Sequence, residues 1–241
     1  MVVNRPRVIG LLGGMSWESS AEYYRLLNEL VRERLGGLHS ARCILASLDF
    51  AEVEELQVTG RWDEAGQLLA EAAQGLEAAG AELLLICTNT MHKVADIVQA
   101  GVRIPLLHLA DATAAAVNRR GLSVVGLLGT AFTMEQAFYR DRIAGRGPRV
   151  LVPQADDRRD VHRIIYDELC VGVVREESRR LYRDVIARLV QAGAEGVILG
   201  CTEIELLIAA EDSPVPVFPT TRLHAEAAVT RSLAPRIPPG A

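Results

Sequence analysis

The chain has 241 residues, enough for one large domain or for two small ones of about 110 residues, each with its own core. Its 26 basic and 31 acidic residues leave a formal charge of −5, which argues against a nucleic-acid partner or an acidic membrane surface. No apolar stretch approaches the ~18–20 residues that span a bilayer, no leader pattern is expected, and four cysteines without zinc-type spacing argue against a disulfide scaffold or a metal site. The expectation is a cytoplasmic protein with reduced thiols and neither metal nor cofactor.

Short apolar runs alternate with amphipathic segments from one end to the other. Runs of four to six residues read as buried parallel strands, and they fall at 8–12, 43–48, 83–87, 104–107, 124–128, 150–152, 197–199 and 215–218. After the first, Tyr23, Leu27, Leu30 and Val31 make a helical stripe. Leu68, Leu69, Ala72 and Leu76 make another, with Gly80 as its stop. Thr133-x-x-Gln136 has the form of a capping box and is expected to start the helix that carries Tyr139. Leu181, Val185 and Leu189 form a third stripe that Gly193 ends. A helix from Arg222 to about Leu233 is expected to return to the first half, and the tail after Pro235 to fray.

Two stretches are written twice. Ala79-Gly80-Ala81-Glu82 leads through an apolar run into Cys87-Thr88-Asn89-Thr90, and Ala192-Gly193-Ala194-Glu195 leads into Gly200-Cys201-Thr202-Glu203. Val8-Ile9-Gly10-Leu11-Leu12-Gly13 recurs as Val124-Val125-Gly126-Leu127-Leu128-Gly129. The matches keep their order at similar spacing. They predict an α/β protein of two pseudosymmetric doubly wound parallel-sheet lobes with the active site between them. One lobe takes 1–111 plus 219–241, the other 112–218. Ligands of such sheets bind beyond the carboxyl ends of the strands, where both polar motifs fall.

In the register of the repeat Cys201 faces Thr88 and Cys87 faces Gly200. A thiol and a hydroxyl closing on one small space suit proton transfer from one side of a carbon to the other. Cys201 follows a strand and opens an expected helix, where unpaired N–H groups should lower the thiol pKa. Cys87, next to Thr88 on a strand, points the other way and is assigned to packing, as are Cys43 and Cys170. Asn89, Thr90, Thr130 and Thr202 offer short donors and acceptors for a carboxylate, or simply cap helices. Glu203 reads as an acid/base or thiol orienter, His92 as a residue that tunes the site or packs at a helix start. Gly13-Gly14-Met15-Ser16 lets backbone approach a ligand closely, placing Met15 and Ser16 among substrate-binding candidates. Gln57 joins them from a segment positioned to cover a site. Neither a dinucleotide glycine fingerprint nor a Walker loop is present.

Gly13-Gly14-Met15-Ser16-Trp17-Glu18-Ser19, Cys87-Thr88-Asn89-Thr90-Met91-His92 and Gly200-Cys201-Thr202-Glu203 resemble the cofactor-independent aspartate/glutamate racemase family, over essentially the whole chain. The resemblance implies two lobes, frequent homodimers, a small amino-acid substrate, and deprotonation and reprotonation at Cα without pyridoxal phosphate or metal. Usual members carry one cysteine per lobe. Here the first is Thr88, in a branch with threonine in place of that cysteine. Cys201 carries over as catalytic thiol and Thr88 only by position. The expected reaction is racemisation of glutamate or aspartate, with Cys201 thiolate taking the α-proton of the L-enantiomer and the Thr88 side returning one. The segment 168–172, basic in many relatives, is neutral at Leu169-Cys170-Val171. Alternatives are a single-cysteine decarboxylase or cis–trans isomerase of a small diacid, or a non-catalytic amino-acid-binding protein.

Overall fold

A computed structural model describes residues 5–235, so the expected fraying of the tail lies outside the described residues. The chain divides into two compact units. Among the described residues the first comprises 5–87, 94–107 and 224–235, and the second 88–93 and 108–223. No helix among the described residues is long and apolar enough to cross a membrane.

The first unit runs β1 (Ile9–Gly13), α1 (Trp17–Leu35), β2 (Cys43–Ser47), α2 (Phe50–Val58), α3 (Trp62–Ala78), β3 (Leu83–Ile86) and α4 (Ala95–Ala100). Its three strands are parallel in the order β2-β1-β3, with Leu11 opposite Leu45 and Leu85. β1 and β3 are buried throughout, because helices cover both faces of a central parallel strand. The expected strand at 104–107 is reduced to one bridge, Leu84 to Leu106. Two backbone bonds, Leu84 N to Pro105 O and Leu107 N to Leu84 O, both 2.9 Å, hold it. Pro105 supplies no N–H to continue a ladder.

Tyr23, Leu27, Leu83, Leu85, Ala228 and Val229 pack into the core of this unit. Each fully buried large apolar side chain contributes about 1.5–3 kcal/mol. The returning helix is tied in by fully buried His224. Its Nε2 donates to Leu107 O at 2.8 Å, and its Nδ1 is hydrogen-bonded to the Tyr23 hydroxyl, also at 2.8 Å. Gly14 has φ 86°, and a Cβ there would collide with the backbone of Leu48. Only glycine permits that approach.

The second unit runs α5 (Leu109–Arg119), β4 (Val124–Gly129), α6 (Ala131–Glu135), α7 (Ala137–Ala144), β5 (Arg149–Leu151), α8 (Ala155–Asp167), α9 (Glu176–Gln191), β6 (Val197–Gly200), α10 (Ile204–Leu207) and β7 (Val217–Pro219). α11 (Thr220–Leu233) begins here and continues into the first unit. The sheet is parallel, in the order β5-β4-β6-β7. Strand for strand, β5-β4-β6 repeats β2-β1-β3, the topology the duplicated sequence calls for.

Gly80 and Gly193 lie one residue past the helix C-caps Ala79 and Ala192, at φ 97° and 100°, in the left-handed position that ends a helix. The capping box does not form. Thr133 lies inside α6, and Gln136 itself is the extended N-cap of α7, with no side-chain cap bond. Thr130 caps α6 instead, accepting from Thr133 N at 3.4 Å.

Candidate active site in the second unit

Parallel pairing places the ends of β4 and β6 side by side, with Gly129 opposite Gly200. Thr130 and Cys201 are therefore the first residues beyond two adjacent strand ends. A Cβ on Gly200 would meet Leu128 O at 2.8 Å and Leu127 Cδ1 at 3.0 Å, so the strand can close on its neighbour only without a side chain. Gly200→Ala is expected to destabilise the protein by about 1–3 kcal/mol, visible as a lower midpoint of thermal unfolding.

Thr88, Asn89 and Thr90 follow β3 of the first unit, yet group with the second. Thr88 and Cys201 thus fall in one compact unit rather than in separate ones. Thr90 Oγ1 lies 3.3 Å from Thr130 Oγ1, which lies 3.2 Å from Thr133 Oγ1. Asn89 Nδ2 donates to Thr220 Oγ1 at 3.2 Å, and Thr220 Oγ1 donates to Leu199 O at 2.8 Å, two residues before Cys201. A threonine hydroxyl has one hydrogen. Thr220 gives it to Leu199 and must accept from Asn89, which fixes the amide with Nδ2 toward Thr220. Asn89 Oδ1 is left buried with no hydrogen-bond partner. A buried acceptor in this state costs about 1–3 kcal/mol until a donor arrives.

Cys201 and Thr88 are partly exposed, whereas Cys87 is fully buried in the first unit's core. Burial pushes the Cys87 thiol far up. Cys201 Sγ donates to Glu203 Oε2 at 2.9 Å, and Thr221 Oγ1 donates to Thr202 Oγ1 at 3.1 Å. The expected lowering of the Cys201 pKa is overturned. Burial first, then the Glu203 carboxylate, push it well above its ordinary value. The helix that follows is a single turn, Ile204–Leu207, beginning three residues later. The resting site therefore holds a thiol hydrogen-bonded to a carboxylate.

Met15, Ser16 and Gln57 belong to the first unit. Met15 is buried at the end of β1, Ser16 caps α1 by accepting from Ser19 N at 3.2 Å, and Gln57 is buried on α2. Three contributors were absent from the sequence reading. Thr220 and Thr221 open the last helix, at a strand-to-helix turn like those after β3 and β6. His162, on α8, accepts from Ala131 N at 3.2 Å through Nδ1 and so holds the start of α6 beside Thr130. Nothing in its sequence context marks it. Among the described residues no group of three His, Cys, Asp or Glu side chains could hold a metal ion.

Two parallel sheets of repeated topology end in polar turns, and in the second unit a thiol–carboxylate pair and several threonines lie at those strand ends. A profile of the Asp/Glu/hydantoin racemase family matches residues 12–228, and the chain belongs to that family. A Yersinia pestis protein assigned to the Asp/Glu racemases is 53% identical, with TM-score 0.90 over 95% of this chain and 100% of the other. An aspartate racemase homologue from Pyrococcus horikoshii OT3 is 34% identical, with TM-score 0.83 over 94% and 99%. The broad specificity amino-acid racemase RacX of Bacillus subtilis (strain 168) is 22% identical over 176 residues, 71% of this chain and 74% of RacX.

Proposed function

We propose that the protein racemises an acidic amino acid, aspartate or glutamate, without pyridoxal phosphate or another cofactor. The observation that carries this reading is the 2.9 Å contact between Cys201 Sγ and Glu203 Oε2, at a strand end rimmed by Asn89, Thr90, Thr130 and Thr202. Family membership and the relatives above support an amino-acid substrate.

Glu203 takes the thiol proton, and the sulfur so freed takes the α-proton from one face of the substrate. The electron pair left at Cα spreads into the α-carboxylate, where threonine hydroxyls and backbone N–H groups stabilise it. A proton returns to the opposite face from the Thr88 side, Thr88 recovers its own from water, and Glu203 releases the original thiol proton to the hydroxide so formed, which restores the resting site. The unpartnered Asn89 Oδ1 requires a donor, and the substrate's α-ammonium is one.

The test is deuterium incorporation at Cα in D2O, started separately from each enantiomer of aspartate and glutamate. Incorporation into at least one pair is expected, and none into any of the four would overturn the reading. A protonated thiol also suits decarboxylation of a small diacid, where only a proton donor is needed. Loss of 44 mass units from such a substrate would show it, since racemisation conserves mass.

A further inference from the structure

His92 is 2% exposed and stands one turn beyond Thr88, in the short helix Thr90–Val94. Both its ring nitrogens are engaged by backbone groups of fixed polarity. Nδ1 lies 2.8 Å from Thr88 O, which can only accept. Nε2 lies 3.1 Å from Leu109 N, which can only donate. The imidazole must therefore carry its hydrogen on Nδ1 and a lone pair on Nε2, and it must be neutral. We propose that His92, locked as the neutral Nδ1–H tautomer, is a positioning residue that pins the Thr88-Asn89-Thr90 turn to the first turn of α5.

The surroundings enforce that state. Leu109 is the first residue of α5, an eleven-residue helix whose positive end faces Nε2 and opposes an imidazolium. The His108 ring stacks at 4.5 Å, tilted by 57°, and its own Nδ1 accepts from Ala110 N at 3.2 Å. From α7, Arg142 adds positive charge; it is held by Asp111 at 2.7 Å and 3.0 Å, and Arg146 shares that carboxylate. Burial first, then His108, hold the His92 pKa well below its ordinary value. His108 caps α5 with its own Nδ1 lone pair, and His92 joins that helix start to the turn.

The role assigned to the turn rests on the reading above; the tautomer does not. The test is 15N NMR of the full chain labelled at histidine, with the His92 signals assigned by their loss in His92→Asn. The expected result is one ring nitrogen protonated, Nδ1, and no titration near the ordinary midpoint of about 6.5. An Nε2–H tautomer, or titration near that midpoint, overturns the proposal whether or not the protein turns over amino acids.

A second arm compares variants by α-proton exchange. His92→Asn keeps a donor where Nδ1–H was and should retain kcat within about threefold. His92→Leu keeps the bulk but no donor and should lose kcat on the order of 100-fold, the scale of an ångström's misplacement, with KM changed less. Equal kcat in wild type and His92→Leu, or an equal loss in both variants, overturns the positioning role. No exchange in wild type defeats the racemase reading, and the NMR arm still decides the clamp.

Discussion

Cys201→Ala should reduce α-proton exchange from either enantiomer by at least about 1000-fold, within the range set by removing a general acid–base group. Cys201 is half-buried at the edge of the second unit's core and loses only its sulfur, so thermal unfolding should shift by about 1 kcal/mol at most. Coupled loss of activity and stability would mean that the residue is structural. The direction of the pKa shift adds a second readout. Burial and Glu203 hold the thiol protonated well above its ordinary range, so the thiolate fraction grows tenfold per pH unit through neutrality. Exchange that begins with Cys201 as base should therefore rise with pH, whereas the direction in which Cys201 donates should not. The same rise with pH for both enantiomers would contradict the assignment of the sulfur to one face. The measurement is the initial rate of deuterium uptake from each pure enantiomer between pH 6 and 9.

Thr88→Cys should accelerate α-proton exchange into the slower-exchanging enantiomer on the order of 100-fold and leave exchange into the other nearly unchanged. A threonine hydroxyl is a far weaker acid and base at neutral pH than a thiol. Proton removal on the Thr88 side should limit one direction only, although both must approach the same one-to-one mixture. Thr88 is partly exposed, and its backbone carbonyl is fixed by His92 at 2.8 Å, so a thiol can replace the hydroxyl without disturbing the turn. Equal exchange from both enantiomers in wild type, with no gain in the variant, would remove Thr88 from the reaction.

Much of the architecture was legible because strand identity is a local property. Leu83 to Ile86 and Val197 to Gly200 are apolar, short and closed by polar turns, and neighbouring helices do not alter that pattern. The segment at 104–107 has the same composition but contains Pro105, and it makes only the single Leu84–Leu106 bridge. The capping box failed for a related reason. Thr130 offered the chain an earlier cap, and α6 broke at Gln136 before Tyr139 was reached. Composition identifies candidate residues, but competing local partners choose among them.

Chemistry at the site was less legible. The polar turns could be found from their position after strands, yet the charge state of Cys201 depends on where Glu203 points. The sequence shows only that they are two residues apart. The orientation of Asn89 rests on Thr220, 131 residues away, and on that hydroxyl's single hydrogen. His92 looked like one imidazole at a helix start. Its meaning lies in Leu109 N, 17 residues further on.

The locked amide of Asn89 also says what the site should refuse. With Nδ2 committed to Thr220, the buried oxygen presents lone pairs alone. A 2-oxo acid with the same carbon skeleton and carboxylates as glutamate or aspartate would bring a carbonyl oxygen to the place of the ammonium, lone pair against lone pair. Such keto acids, matched in size and overall shape, should compete poorly for the protein, and the selectivity would arise from a threonine hydroxyl committed to a backbone carbonyl and to Asn89.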